Sequence, residues 1–382
     1  METMAKMSLL PIFVELLVVL SFPTITQADD RDSHIKHKPL PTVGWAIGNG
    51  ESPGTAFIVH TDDGGVTWQK QGDPLVWTGQ GNDISAVDKR TAWAALGSTG
   101  ESEGAILHTT DGVTWAMQVI PAGLSGGIKA VKGLSHREAW AASLGGTILH
   151  TTDGGHNWKI VLHPTVPIIQ VNRIDAMGRN VWIADAATGG AVVHSEDGGL
   201  TWRKWWDQVN PEWRAEYLPD NDSPLTVHAF SPLVIWASGA NIDKNPTFYR
   251  TVDTGDRWEL VINVGHLDHF DDICAASPDD VWGEQNGDGG TGSIWRVHVE
   301  PDGLTDAKNI TPPALYGYTT GGVSCLDTRV AWIVGQQMAE VNKNKPRGII
   351  LHTIDGGETW VQPQSVPDDV FYWKISFAGA RR

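Results

Sequence analysis

The chain has 382 residues and a formal net charge of −17, which argues against nucleic acid or an anionic membrane surface as its main partner. Two Cys exclude a disulfide-built scaffold, while 19 Trp, 43 Gly and 21 Pro point to many short strands joined by tight turns. Beyond the N-terminus no long stretch carries helical periodicity.

Residues 1–28 read as an export signal. Lys6 gives a positive start, Ser8 to Phe22 is mostly apolar with Glu15 interrupting it, and Thr26-Gln27-Ala28 places small residues at the cleavage positions. The apolar run is short and broken for a membrane anchor, and no second stretch is long enough to span a bilayer. The expectation is an exported, monomeric chain, periplasmic or extracellular after cleavage near Ala28. Residues 29–42 then form a linker and 43–382 one folded domain.

Seven Trp-centred strands follow: Gly44 to Gly48, Ala92 to Ala95, Ala139 to Ala142, Val181 to Ala184, Ile235 to Ser238, Val281 to Gly283 and Ala331 to Gly335. Their Trp residues lie 48, 47, 42, 54, 46 and 50 residues apart, the spacing of four-stranded propeller blades. A second motif, [ST]-x-D-x-G-x-x-W, recurs at Thr61 to Trp68, Thr151 to Trp158, Ser195 to Trp202, Thr251 to Trp258 and Thr353 to Trp360, and one residue short at Thr109 to Trp115. Its Asp can accept from backbone N–H groups just ahead, and its Gly admits positive φ; the box reads as a hairpin turn.

Each unit is therefore inner strand A, Trp strand B, pre-box strand C, the box, and strand D. Inner strands read as Ile84 to Val87, Ile128 to Val131, Val171 to Ile174, Leu225 to Phe230, Asp272 to Ala275 and Val323 to Leu326. The first unit lacks one, and Phe371 to Phe377 is an inner strand with nothing after it. Joining the two predicts an all-β, seven-bladed propeller, its ring closed by the C-terminal strand and so without open sheet edges. Blade six lacks the box and turns instead at Glu300 to Gly303.

These motifs resemble the Asp-box (BNR) repeats of sialidase-type propellers. They are closer to the photosystem II stability/assembly factor type, whose G-W-x-x-G…G-x-I-L-H-T-x-D-G-G-x-T-W unit is matched at Trp140 to Trp158 and Trp332 to Trp360. The resemblance covers about residues 43 to 380 and implies a non-catalytic, protein-binding scaffold. The sialidase side implies the alternative, a secreted glycoside hydrolase or a carbohydrate-binding propeller. Sialidases carry an Arg-Ile-Pro motif and a Tyr–Glu nucleophile pair; this sequence has no Arg-Ile-Pro and no Tyr before Tyr217, so no catalytic residue is assigned.

The repeated His60, His108, His150, His194 and His352 sit on strand C of different blades, two strand spacings (roughly 10 Å) outside the inner strand, and cannot share a metal ion. They read as structural, as do the turn-forming Asp63, Asp111, Asp153, Asp197, Asp253 and Asp355. Function is expected where the repeat breaks, on the face of the B–C and D–A loops. The loop Arg203 to Asp222 carries Trp205, Trp206, Trp213, Arg214 and Tyr217: an aromatic platform for a protein or sugar, or a cluster folded on itself. Lys343, Lys345 and Arg347 form a basic spot, suited to an acidic partner or a solvated loop. His266, Asp268 and His269, continuing to Asp271 and Asp272, are the best metal-like cluster, but their spacing fits no metal motif and a surface acidic patch is favoured. The Gly-rich Glu284 to Gly292 has no following helix to make a phosphate site, and no cofactor is expected. Cys274 and Cys325 lie on matching inner strands of adjacent blades; an exported chain could oxidise them, but equivalent positions can be too far apart to bridge, and the reading leans to two buried free thiols.

Overall fold

The computed structural model describes residues 42–50, 54–72, 77–97, 104–124, 126–161, 170–186, 191–205, 223–240, 246–263, 269–286, 291–337, 347–367 and 370–379. Seven antiparallel sheets follow one another in chain order, six of four strands and one of three. Blade two is typical, running Gln80–Ala86, Ala92–Gly97, Ala105–Thr109 and Ala116–Met117. Blade one draws its inner strand, Val370–Phe377, from the C-terminal end; it pairs with Gly44–Gly50 from Gly44↔Phe377 to Gly50↔Val370. The ring is a seven-bladed propeller closed in this way. In blade seven the fourth strand shrinks to a single bridge, His352↔Val361.

All seven blade Trp residues are buried. Directly across the sheet from each lies a His or an Arg on strand C: His60, His108, His150, His194, Arg250, Arg296 and His352. Trp93 and His108 stack at 3.5 Å, Trp140 and His150 at 3.8 Å. Burial holds these imidazoles neutral, His108 at a pKa of about 4 and His194 at about 3. The Trp at the end of a box packs edge-on against the blade Trp of the preceding blade, as Trp158 does on Trp93 and Trp360 on Trp282. The box thus belongs energetically to two blades.

Inside each box the hydrogen bonds repeat. Asp63 Oδ1 accepts from Val66 N and Thr67 N, both at 2.9 Å, while Thr61 Oγ1 accepts from Gly65 N at 3.0 Å. Asp197 and Ser195 do the same with Leu200, Thr201 and Gly199. These bonds favour the ionised carboxylate and hold Asp153, Asp197 and Asp355 at about 2.

On the inner strands, the residue opposite each blade Trp clasps the next blade. Ser376 Oγ accepts from Ala86 N, Ser85 Oγ from Gly133 N, Asp175 Oδ2 from Ala229 N, His228 Nδ1 from Ala275 N and Ser324 Oγ from Phe377 N. Lys132 Nζ reaches Asp175 Oδ1 at 2.7 Å. At the blade six–seven junction the clasp is covalent: Cys274 and Cys325 form a disulfide with Cα atoms 5.9 Å apart. This corrects the expectation of two free thiols. The two residues are not equivalent, since Cys274 pairs with Trp282 but Cys325 with Ala331, one position on. That offset aims Cys274 at Cys325 across the junction, within bridging distance.

Candidate functional site

The inner strands share one further irregularity. Each breaks register at the same level, so that Asn82, Lys129, Asn172, Leu225, Asp271, Gly321 and Trp373 are each an extra residue against the neighbouring strand. A bulge bends the strand and re-aims a side chain. Here seven bulges ring the mouth of the central channel on the face of the B–C and D–A loops. A cavity of about 250 Å3 opens there, walled by Asn82, Lys129, Asn172, Asp271, Gly321 and Trp373, with Asn49, Gln80 and Asn286 from the strand ends.

One residue further along each strand lies a second tier, which forms the floor. Arg173 of blade four donates to Asp83 of blade two at 3.2 Å and to Asp272 of blade six at 2.7 Å. Lys374 of blade one reaches Asp272 at 3.2 Å and donates to the Gly321 carbonyl at 2.8 Å. Burial alone would disfavour the Arg173 charge, but Asp272 and Asp83 hold its pKa above the usual range. Two cations and two carboxylates so cross the channel in balance. Beneath the strut a void of about 10 Å3 remains, on the order of one water.

The wall is less balanced. Burial, then the nearby Lys374 charge, hold Lys129 below the usual lysine range. Asp271 is the single carboxylate among the described wall residues; its Oδ1 pairs with His269 Nε2 at 3.0 Å, and its Oδ2 is shielded with no partner among them. Glu284, behind the wall, is fully buried with neither oxygen hydrogen-bonded among the described residues. Burial, then the Asp271 charge, push its pKa well above the carboxylate range. The amides are half committed: Asn82 Nδ2 donates to Ile128 O, Asn172 Nδ2 to Leu225 O, and Asn49 Oδ1 accepts from Gly81 N. Each keeps its other end for a ligand.

A second concavity of about 790 Å3 lies on the box face between blades two and three, beside the shortened box, with His108, His136, His156 and Arg137 among its lining. Among the described residues no group of three or more His, Cys, Asp or Glu is set to hold a metal. Of the metal-like cluster, His266 and Asp268 lie outside the described residues, and His269 is taken up by Asp271. Trp206, Trp213, Arg214, Tyr217, Lys343 and Lys345 also lie outside them. Trp205 is described only as the end of the strand Arg203–Trp205, and Arg347 is exposed with its carbonyl accepting from Gln337 N. The central cavity was not foreseen from sequence; a polar or charged residue two places before the inner-strand partner of the Trp in five of the seven blades (Lys374, Asp83, Arg173, Thr226 and Asp272) was the signal available.

No protein-family model matches the chain, and no curated protein matches it. Solved structures do. A structure described as YCF48 bound to D1 peptide is 17% identical with a TM-score of 0.55, covering 87% of this chain and 96% of that one. YCF48 from Cyanidioschyzon merolae is 19% identical with a TM-score of 0.50, covering 74% and 84%. An ancestral GH74 enzyme is 12% identical with a TM-score of 0.51, covering 85% of this chain and 55% of that one. At such identities the likeness is one of fold: the chain is built as these propellers are.

Proposed function

We propose that the chain is an exported, non-catalytic propeller that binds a protein partner on its loop face, in the manner of an assembly or stability factor. The observation that carries this reading is the wall of the central cavity. Five of the seven re-aimed positions present two amides, an ammonium, an indole and a single carboxylate, among the described residues, which is a recognition surface. Glycoside hydrolysis needs two carboxylates flanking the bond, and among the described residues Glu284, the acid behind Asp271, is sealed behind the wall. The YCF48 structure with its D1 peptide supports the reading by analogy of fold. The same face is proposed to include the Trp-rich loop with Trp205, Trp206, Trp213, Arg214 and Tyr217, and the basic loop with Lys343, Lys345 and Arg347.

The test is site-specific photocrosslinking in the producing cell. A photoreactive residue replacing Gln80 or Trp373 on the loop face should give protein adducts, and one replacing Thr359 on the box face should not. Adducts of equal yield from both faces, or none, would sink the proposal. Turnover of a chromogenic glycoside by the purified chain would move it to the hydrolases. The export signal is checked by the N-terminus of the mature chain, expected at Asp29.

A further inference from the structure

The cations that face the central cavity differ in one respect. Arg173 and Lys374 are each matched by Asp83 and Asp272 below the floor. Lys129 lines the cavity with no ion-pair or hydrogen-bond partner among the described residues, although it is half-buried. An ammonium withdrawn from water without a counter-charge is costly, and a structure keeps one where something else supplies the charge. Asp83 and Asp271 favour the Lys129 charge through space, but neither makes a direct ion pair with it among the described residues: one Asp271 oxygen is paired with His269 and the other is shielded. The cavity wall therefore holds an ammonium with no direct ion-pair partner among the described residues.

The groups around it describe the rest of the ligand. Asn82 and Asn172 each commit one amide N–H, to Ile128 O and Leu225 O, which leaves on each a carbonyl oxygen as acceptor and a second N–H as donor. The acceptors match O–H or N–H donors on a ligand, and the Asn49 amide N–H groups match its oxygens. Trp373, half-buried in the same wall, offers an indole against which a small ring or aliphatic body can lie. A cavity of about 250 Å3 limits the body to a monosaccharide or a single amino acid. The floor strut leaves little room beneath, so the ligand must enter and leave by the loop face.

We infer that the central cavity binds a small organic carboxylate rich in O–H or N–H donors, its carboxylate seated on the Lys129 ammonium. Two sources share this chemistry: sugar acids, whose donors are hydroxyls, and free α-amino acids, whose donor is an ammonium. A charge-assisted contact in a partly water-excluded cup makes the carboxylate the dominant determinant and the donors the selectors. This solute site is independent of whether a protein docks on the rim around it.

The experiment is calorimetric titration of the full mature chain with D-glucuronate, D-gluconate and each standard α-amino acid. Glucose and the amino acid amides serve as charge-free counterparts. At least one carboxylate is expected to bind at least tenfold more tightly than its neutral counterpart, and Lys129→Met is expected to erase that difference. Because Lys129 has no internal partner to lose, the variant should melt at or above the wild-type temperature; Lys129→Gln provides a polar replacement should Met perturb the wall. Binding by the sugar acids alone, or by the amino acids alone, names the source. Equal binding of charged and neutral partners, wild-type preference in both Lys129 variants, or no binding by any acid overturns the inference. None of these outcomes bears on the crosslinking from the loop face, so the two proposals fail separately.

Discussion

Arg173 Nη2 lies 2.7 Å from Asp272 Oδ1, a contact that joins the fourth blade to the sixth across the centre of the ring. With the second bond to Asp83 it ties three blades that share no sheet. Removing one partner of a buried ion group leaves the others uncompensated, at a cost of about 3–5 kcal/mol. Arg173→Met is therefore expected to lower unfolding free energy by that amount in a denaturant titration. A loss under about 1 kcal/mol would mean that the strut is replaceable by water.

Glu284 predicts a pH dependence of opposite hand to ordinary acid unfolding. Its folded pKa is raised, so the unfolded chain releases this proton at a lower pH than the folded chain does. Stability from this group is present below the unfolded value, near 4.3, and is lost as pH rises towards the folded one. Glu284→Gln should thus gain on wild type progressively from acid to mildly alkaline pH, read as the difference in melting temperature. A difference that stays flat across that range would show the carboxyl to be solvated.

The Cys274–Cys325 bridge closes a loop with a sequence separation of 51, for which chain entropy gives roughly 4 kcal/mol. Paired Cys274→Ala and Cys325→Ala changes should lower the melting temperature, and dithiothreitol should bring wild type to the same value without affecting the variant. If reduction, verified by thiol titration, leaves the melting temperature unchanged, the covalent clasp adds nothing to the hydrogen-bonded ones.

Box five carries Thr254 at φ 68°, where the corresponding turns use Gly64, Gly154, Gly198 and Gly356 at φ near 80°. A β-branched residue is strained in this region. Thr254→Gly keeps the backbone bond from residue 254 N to Leu233 O and should stabilise by about 0.5–1 kcal/mol, allowing for the extra freedom of an unfolded glycine. Chemical denaturation decides it; a destabilised variant would mean that the Thr side chain has a packing role.

The blades were legible in the sequence because each repeats a Trp strand and a turn whose chemistry is local. Asp63 and Gly65 do their work within a few residues of each other, so the pattern survives in the linear text. The cavity was not legible for the opposite reason. Its wall draws on six blades, and Asn82, Lys129, Asn172, Asp271 and Trp373 share no single residue type. What unites them is a backbone bulge, fixed by strand pairing rather than by side-chain identity. The disulfide was misread because equivalence was judged by strand, and a one-residue offset decides whether two sulfurs meet.

The pairing of Gly44 with Phe377 also imposes an order of events. The first strand to be synthesised has its inner neighbour in the last. At ordinary translation rates the two are separated by on the order of tens of seconds. During that interval blade one has an unsatisfied edge and the ring has a gap. No nascent fragment that lacks Val370–Phe377 can be a finished propeller. Until that partner strand is made, Gly44–Gly50 waits with its inner edge open and there is no cavity for a ligand to enter.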